Sequence, residues 1–411
     1  MHPMVKPALR RGWRDLNTVQ FGMTPAHALT LGPVDLATGT FLDLLNGTRG
    51  LALLRDEGRR MDLPDGHVDA LVDRLARAGL LDDARGGGPA ADALRAKQEV
   101  LDRLRPDLAS LSLTRSEPGD AVRRLAARRA LRVQVRGAGR VGSVLASLLS
   151  AAGVGEVEVR DGGCVEPWDV APGGHPAEAV GERREESARR AVRRAAPDRP
   201  PRRGPQSPPR DDSGHGLVIL APRDDIAVYA PSPTTAEPLL ASGTPHLYAG
   251  VVEGTGMVGP LVLPGETACA RCLHEGRTDR DPAWPRLVAQ WNSGRQPQVR
   301  PCDVTLATTV AGLAAAHALA FLDGQVPASA GARWEVSLPG LQWHARPVRA
   351  HPACPCAAAE RVREDAGKQP EEEQPSKDGE SHETMVEQRS STEVCRRSAA
   401  ARPAGTWRAH V

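Results

Sequence analysis

Residues 131–161 read LRVQVRGAGRVGSVLASLLSAAGVGEVEVRD, and this stretch decides the fold class. An apolar strand is predicted over Leu131–Val135, and it leads through the glycine turn Gly137–Gly142 (GAGRVG) into a helix with one apolar face. A second strand, Val157–Val159, ends at Asp161. Because this order of strand, glycine turn, helix, strand and acid is typical of nucleotide-binding units, the sequence predicts a parallel α/β domain.

The glycine turn predicts the position of a bound nucleotide. Glycines allow a tight turn and a close approach of the backbone to a phosphate, and the following helix presents unpaired N–H groups and the positive end of its dipole. Asp161 lies 19 residues after Gly142, where an acid accepts hydrogen bonds from a ribose hydroxyl. A plain α/β core whose tight turns bind no ligand is the alternative interpretation. The candidate nucleotide-binding residues in this stretch are Gly137, Gly139, Arg140, Gly142 and Asp161.

Seven cysteines are unevenly placed along the 411 residues, and four of them form two close pairs. Thiolates in such pairs are typical ligands of structural Zn²⁺, with four sulfurs at about 2.3 Å and no open coordination position. We therefore predict a structural zinc site rather than a catalytic one. His274 and His351 lie close enough in sequence to replace a cysteine, and four unconnected thiols are the alternative. The predicted metal ligands are Cys269, Cys272, Cys354 and Cys356.

The composition argues against some function classes. The chain has 53 basic and 51 acidic residues, a balance that argues against a dedicated nucleic-acid-binding protein. Only four of the basic residues are lysines, so single arginines carry little information. No run approaches the ~18 apolar residues that a membrane span needs, and the N-terminus lacks the pattern of a secretory signal. We therefore expect a cytoplasmic protein that binds neither nucleic acid nor membrane.

The sequence divides into segments of different character. Residues 1–85 predict short strands followed by three short helices, in a winged-helix-like α+β module. Residues 86–130 are predicted as a linker and a connecting helix, and 131–356 as the α/β domain. The arginine- and proline-rich stretch 182–212 predicts a helix that passes into a solvated loop. Residues 357–411 lack Leu, Ile, Phe and Tyr and are predicted as a disordered tail.

Taken in order, these features resemble a known family. Over about 131–356 the sequence resembles the ThiF/MoeB/HesA family, relatives of the ubiquitin-activating enzymes. The resemblance rests on the glycine turn, on Asp161 and Val165, on PGETACARC at 264–272, and on the second cysteine pair, which is spaced one residue closer than usual. It implies a Rossmann-like ThiF-type domain with a zinc clasp, which uses ATP and Mg²⁺ to adenylate the C-terminal carboxylate of a small protein or peptide. Relatives are often dimers, so a homodimer is also implied.

This sequence departs from the family pattern at several phosphate-binding positions. The second aspartate of the family corresponds to Gly163, and the arginine that would touch the triphosphate corresponds to Pro172. A lysine of the family corresponds to Arg184, which the resemblance implies as a further nucleotide-binding residue. The Mg²⁺-binding aspartate corresponds to Asp224 or Asp225. Because adenylation depends on neutralising phosphate oxygens, these losses make a degenerate nucleotide site the alternative.

The N-terminal segment supports a hypothesis from another class. A winged-helix-like unit ahead of a ThiF-like domain resembles the leader-peptide-recognition arrangement of cyclodehydratase partner proteins from azoline peptide biosynthesis. It implies a non-catalytic adaptor, which takes up a ribosomal peptide by β-augmentation and presents it to a partner modifying enzyme. A third reading, an NAD(P)-dependent oxidoreductase, rests on the glycine turn alone. One face of the third predicted helix is either the peptide-binding surface or module core: Val68, Leu71, Val72 and Leu75.

Cys302 is the candidate catalytic residue. It lies just before Asp303, which is predicted to cap the next helix. A helix N-terminus lowers the pKa of a thiol and favours the thiolate. In relatives that form thioesters a cysteine lies in the loop that crosses toward this helix, so the resemblance indicates the same residue. A partly buried, inert thiol is the alternative.

Overall fold

The computed structural model describes residues 1–198, 215–223, 225–294 and 299–361. The N-terminal segment has short strands followed by three helices, in the order that the sequence predicts. A further strand closes this segment. In chain order these elements are β1 (Pro3–Val5), β2 (Arg11–Asp15), β3 (Thr18–Phe21), β4 (Leu29–Leu31), α1 (Leu36–Phe41), α2 (Leu51–Arg60), α3 (His67–Arg77) and β5 (Leu81–Asp83).

The N-terminal module builds its core between a small sheet and its helices. Strands β2, β3 and β4 form an antiparallel sheet, and β1 pairs antiparallel with β5. The core includes Phe21, Phe41 and Leu54. The α3 face that the sequence offers as a peptide-binding surface lies in this core, because the four side chains on it are all buried: Val68, Leu71, Val72 and Leu75.

The segment predicted as a linker and connecting helix contains α4 (Gly88–Arg95), α5 (Gln98–Leu113) and α6 (Asp120–Arg128). The sequence predicts breaks near Pro106 and Pro118. Helix α5 continues through Pro106, whereas Pro118 does lie between α5 and α6. A proline removes one helix hydrogen bond, and here burial of Leu104 and Leu111 on either side of it holds the helix together.

The α/β domain follows. Its first strand, glycine turn, following helix and second strand have the order that the sequence predicts. In chain order the elements are β6 (Arg132–Arg136), α7 (Arg140–Ala151), β7 (Glu156–Arg160), α8 (Arg184–Ala195), β8 (Leu217–Leu220), α9 (Asp225–Tyr229), α10 (Pro233–Ala241), β9 (His246–Val252), β10 (Thr255–Val262), α11 (Ala270–Arg280), α12 (Trp284–Ser293), α13 (Val304–Leu322), β11 (Ala332–Ser337) and β12 (Trp343–Pro347).

The main sheet places the ends of the parallel strands side by side. Within the described ranges it has seven strands in the order β12-β11-β10-β9-β8-β6-β7. Strands β6 to β9 run parallel, and β10 to β12 run antiparallel. Val135 on β6 pairs with Val159 on β7 and Ile219 on β8. The segments after these three strands therefore meet at one edge of the sheet, the edge where such folds bind ligands.

Helix α13 lies in the main core. Although the sequence predicts no segment of that kind, Val304–Leu322 is by length and composition alone long and apolar enough to cross a membrane. Its Leu306, Val310 and Ala314 are at most 1% exposed and belong to the same buried cluster as strand residue Val133. The apolar composition of α13 is therefore that of a helix packed against a sheet.

Some sequence predictions fall at or beyond the described ranges. Residues 357–361, the start of the predicted tail, form a helical turn in which Ala358 and Ala359 are buried. The rest of the tail with Cys395, residues 199–214 of the predicted loop, and the Mg²⁺ candidate Asp224 lie outside the described residues.

Candidate functional site

The three glycines of the turn have different surroundings. Gly137 has φ +104°, and a Cβ built on it would lie 2.0 Å from the carbonyl oxygen of Ala221. A Cβ on Gly142 would lie 2.0 Å from the carbonyl oxygen of Gly137. These two glycines permit tight backbone packing. At Gly139 a Cβ would instead lie 2.7 Å from the side-chain Cγ of Arg223.

Asp161 braces the turn. Its Oδ2 accepts the N–H of Ala138 at 2.8 Å, and its Oδ1 accepts the N–H of Gly163 at 2.9 Å and Nη1 of Arg184 at 3.2 Å. Burial alone would raise the pKa of Asp161, but the bonds from Gly163 and Ala138, together with Arg184, hold that pKa below its ordinary value. Both carboxylate oxygens of Asp161, the residue predicted to bind the ribose, thus already accept hydrogen bonds from the protein.

Two arginines and three acids form an ion-pair network beside the turn. Arg184 donates from Nε to Asp169 at 2.8 Å, from Nη2 to Glu166 at 2.9 Å, and from Nη1 to Asp161. Arg223 donates from Nε to the other oxygen of Asp169 at 3.0 Å, and from Nη2 to Glu166. Because Arg184 is buried and pairs with three carboxylates, it joins the loop after β7 to helix α8.

His175 ties the same loop to the glycine turn. The side chain is fully buried, and its Nε2 lies 2.6 Å from the carbonyl oxygen of Ala138. A carbonyl only accepts, so Nε2 carries the hydrogen and Nδ1 accepts from the hydroxyl of Ser187 at 2.8 Å. Burial lowers the pKa of His175. Sequence reasoning missed this residue, since a lone histidine in a loop has no pattern around it.

A cavity of about 400 Å³ opens at the turn. Of the residues predicted from sequence, Gly139, Arg140, Gly142 and Cys302 line it, whereas Gly137, Asp161 and Arg184 do not. The cavity wall also contains charged and aromatic side chains that sequence reasoning missed. Arg223 could have been identified from its position shortly after a parallel strand. Arginine is so abundant in this sequence that the position did not stand out. These further residues are Glu166, Trp168, Asp169, Arg223 and Arg300.

Cys302 lies at the cavity, half-buried beside Asp303. Burial raises the pKa of its thiol, which is opposite to the shift that the helix N-terminus predicts. Asp303 caps α13 by accepting the N–H groups of Thr305 and Leu306, both at 3.0 Å. Its carboxylate takes the first N–H groups of the helix and adds a negative charge beside the thiol. Arg140 donates to the carbonyl of Cys302 at 2.9 Å, not to its sulfur.

The four paired cysteines converge as the sequence predicts. Their sulfurs lie within 4.8 Å of one another. Contacts are 3.8 Å between Cys269 and Cys272, 3.6 Å between Cys269 and Cys354, and 3.5 Å between Cys272 and Cys356. A tetrahedral Zn–S₄ centre with bonds of about 2.3 Å has S···S edges of about 3.8 Å, so the donor set fits Zn²⁺. Burial raises the pKa of Cys354 to about 12, and a cation bound by the four sulfurs would favour their thiolate forms.

The two candidate histidine ligands are engaged elsewhere. His274 Nδ1 accepts from the indole N–H of Trp284 at 3.1 Å. His351 contacts Asp279 at 2.7 Å through Nε2, and its Nδ1 accepts the N–H of Ala353 at 3.2 Å. The thiols alone therefore make up the candidate metal centre.

A family model described as the ThiF family matches residues 120–356. The chain belongs to the ThiF family. The match begins at helix α6, before the α/β boundary at residue 131 that the sequence predicts. The resemblance to the ThiF family that the sequence shows is thus confirmed. The mixed α/β fold class and the clustering of the four cysteines are confirmed as well. No curated protein sequence matches the ThiF-family chain.

Solved structures with the same fold include E. coli MccB. Its complex with AMPCPP and selenomethionine MccA has a TM-score of 0.62 and 13% identity, covering 87% of the ThiF-family chain and 100% of its own. Its complex with ATP has a TM-score of 0.59 and 13% identity, covering 86% and 99%. The heterocyclase TruD has a TM-score of 0.56 and 16% identity, covering 91% of this chain and 45% of its own. At sequence identities this low, the structural similarity to these proteins shows a shared fold.

Proposed function

We propose that this ThiF-family protein is an ATP-dependent adenylyltransferase that activates the C-terminal carboxylate of a peptide or small protein. The observation that carries the proposal is the cavity at the glycine turn, where Gly139, Gly142 and Arg140 face a space of about 400 Å³. This volume lies in the range of ligand sites, about 300–1,000 Å³. The family supports adenylyltransferase-type chemistry, and ATP and a peptide are bound by the MccB structures of the same fold.

The proposed reaction uses charge stabilisation at the turn. The peptide carboxylate attacks the α-phosphate of ATP, a new oxygen–phosphorus bond forms, and pyrophosphate leaves with the electron pair of the broken bond. Negative charge on the phosphate oxygens would be met by the N-terminus of α7 and by Arg140, whose buried Nε has no hydrogen-bond partner among the described residues. Mg²⁺ would come with the nucleotide, held in this proposal by Asp224 or Asp225.

A second candidate function is a non-catalytic adaptor that binds a leader peptide and presents it to a modifying enzyme. The observation that favours it is the ion-pair network beside the cavity, where Glu166 and Asp169 already engage the side chain of Arg223. Asp161 and Arg184 are also committed to the ion-pair network. In this reading residues 1–85 are the peptide-recognition module, 86–130 the connection, 131–356 a ThiF-type scaffold and 357–411 a tail.

ATP binding and pyrophosphate exchange separate the two functions. We expect the full-length protein to bind ATP, as measured by calorimetry, and to catalyse exchange of labelled pyrophosphate into ATP only with a peptide that has a free C-terminal carboxylate. The same peptide with a C-terminal amide is the matched control. Absence of ATP binding at millimolar concentration would rule out the adenylyltransferase. ATP-dependent exchange with no peptide affinity outside the cavity would rule out the adaptor.

The remaining parts of the proposal concern cofactor, location and nucleophile. Zinc would be held by the four cysteines as a structural ion, since the four sulfurs leave no position for substrate. We place the protein in the cytoplasm, with a peptide or small-protein substrate and a homodimeric state. Cys302 stays the candidate for a thioester step, and full turnover by Cys302→Ser would remove it from the reaction.

A further inference from the structure

A second cavity, of about 340 Å³, opens beside the cysteine cluster, and we name it the cysteine cavity. It lies between helix α10 and the segments that carry the cysteines, and its wall includes the apolar residues Pro233, Ala236 and Leu240. Among the described residues, none lines both this cavity and the one at the glycine turn. Three of the four cysteines also line it: Cys269, Cys354 and Cys356. The sulfur centre therefore has an entrance of its own for small molecules.

The four cysteines differ in how accessible they are. Cys269, Cys272 and Cys354 are each 1% exposed, whereas Cys356 is half-buried. Only Pro355 separates Cys356 from Cys354, and a short helical segment begins directly after Cys356. Because Cys356 is half-buried and also part of the cavity wall, its thiol is the one that a small molecule in the cysteine cavity reaches first.

The sulfur of Cys356 has a neighbour with which it can form a disulfide. It lies 3.5 Å from the sulfur of Cys272, a shorter contact than the 3.6 Å between Cys269 and Cys354. A disulfide bond is about 2.05 Å long, so the two sulfurs must approach by roughly 1.5 Å to become bonded. A neighbouring thiol of this kind converts an oxidised cysteine into a disulfide. Cys272 is therefore placed to react with an oxidised Cys356.

We propose that Cys356 is the site at which a hydroperoxide oxidises the cysteine centre, and that the product is a Cys272–Cys356 disulfide. The thiolate of Cys356 attacks one peroxide oxygen, so that a sulfur–oxygen bond forms while the oxygen–oxygen bond breaks. The departing oxygen takes up a proton and leaves as water or as an alcohol. The thiolate of Cys272 then attacks the sulfenic acid, the disulfide bond forms, and hydroxide leaves. The two sulfurs thus supply the two electrons that reduce one peroxide.

The oxidation removes two of the four ligands of the candidate zinc site. A structural zinc site needs four ligands, and a cysteine serves as one only as a thiolate. Only Cys269 and Cys354 keep their thiolates after the disulfide forms, so oxidation releases the metal. The apolar wall of the cavity suits an uncharged oxidant, and hydroperoxides are uncharged at neutral pH. The inference goes beyond the proposed reaction with ATP and depends only on the cysteine cluster.

Zinc release and disulfide mapping test this site in the full-length protein. The zinc-loaded protein is treated with hydrogen peroxide in one arm and with tert-butyl hydroperoxide in the other. We expect release of about one zinc ion per chain, measured with a chromogenic chelator, and a Cys272–Cys356 disulfide in peptide mass spectrometry. Dimedone, which reacts with sulfenic acids, should label Cys356 in preference to the three buried cysteines. The arm with the faster release identifies whether hydrogen peroxide or an organic hydroperoxide is the better oxidant.

Two substitutions test the thiol and its access separately. Cys356→His keeps a zinc ligand but removes the oxidisable thiol, and we expect it to release zinc about tenfold more slowly than the wild type. Ala241→Trp, at an exposed position of the cavity wall, should slow release about threefold by narrowing the entrance. The matched controls are Cys164→Ser, at an exposed thiol outside the cluster, and Ala289→Trp, at an exposed alanine on α12. Both controls should release zinc at the wild-type rate.

The outcomes decide the inference independently of the proposed function. A cluster that stays reduced and keeps its zinc while Cys164 is oxidised would overturn it. A disulfide that leaves Cys356 free, or zinc release from Cys356→His at the wild-type rate, would do the same. If Cys356→His does not bind zinc, the disulfide map of the wild type and the release rate of Ala241→Trp decide instead. None of these readouts needs ATP, so a protein that binds no ATP would reject adenylation and leave this oxidation site intact.

Discussion

Gly137, Gly139 and Gly142 belong to one sequence pattern, yet the structure gives them unlike roles. The first and last allow backbone to pack on backbone, and only Gly139 faces a side chain at the cavity. Asp161, which the sequence predicts as a ribose ligand, also braces the turn through Ala138 and Gly163. The pattern predicted where these residues lie, because they are local in sequence. It could not predict their partners, which come from other segments.

The packing at Gly142 leads to a prediction at this scale. We expect Gly142→Ala to lower the free energy of unfolding by about 2–3 kcal/mol, because its Cβ would lie 2.0 Å from the carbonyl oxygen of Gly137 and the backbone must shift. Gly312→Ala is the control within helix α13, where a Cβ has nothing within 4 Å. It should stabilise by about 0.5–1 kcal/mol. Urea unfolding measures both, and equal effects of the two substitutions would contradict the packing argument.

At the scale of elements, apolar periodicity predicted the helix after the glycine turn and the strands on either side of it. It failed where tertiary contacts overrule a local signal. Helix α5 runs through Pro106 because Leu104 and Leu111 are buried on either side of it. The face of α3 with Val72 and Leu75 had two readings in sequence, and packing in the N-terminal core selected one. An amphipathic face predicts that something covers it, but not whether the cover is the same chain or a ligand.

Strand β9 carries a histidine whose burial makes stability depend on pH. Burial lowers the pKa of His246 to about 4, from an ordinary 6.5. The unfolded chain therefore binds more protons between these values, so stability is complete above pH 6.5 and falls as the pH drops toward 4, by about 3 kcal/mol in total. In His246→Asn, the number of protons taken up on unfolding should fall by about one. Denaturant unfolding from pH 7 to 4 measures this number as the slope of the free energy of unfolding against pH. His344→Asn, at an exposed position, is the control, and an equal slope in both variants would contradict the assignment.

At the scale of the whole molecule, the cysteine cluster joins distant parts of the chain. Cys269 and Cys272 lie at the start of α11, whereas Cys354 and Cys356 follow β12, the last strand of the sheet. The sulfur geometry fits zinc, and the apolar residues around it, Ala359 included, form one buried cluster. A metal bound by these four cysteines would link the start of α11 to the segment that follows β12.

Metal removal tests this closure. We expect about one zinc ion per chain, and we expect Cys272→Ser to lose it and to unfold with about 3 kcal/mol less free energy, since zinc binding contributes directly to folding. Chelator-treated wild type should then match the variant in stability. Cys164→Ser, at an exposed and separate thiol, should keep both metal and stability. Metal analysis and thermal unfolding measure these outcomes, and a metal-free wild type of unchanged stability would reject the zinc site.

The amino-acid sequence was enough to predict the α/β order, the place of the glycine turn, the four candidate cysteine ligands and the family resemblance. Each of these depends on residue types at short spacings, which a linear pattern contains. Only the tertiary structure decided which charges meet at the cavity. Glu166 and Arg223 lie 57 residues apart and pair because β7 and β8 end at the same edge of the sheet. Burial of Cys302 and capture of Arg184 by three carboxylates likewise arise from segments that fold against each other, and no local spacing predicts them.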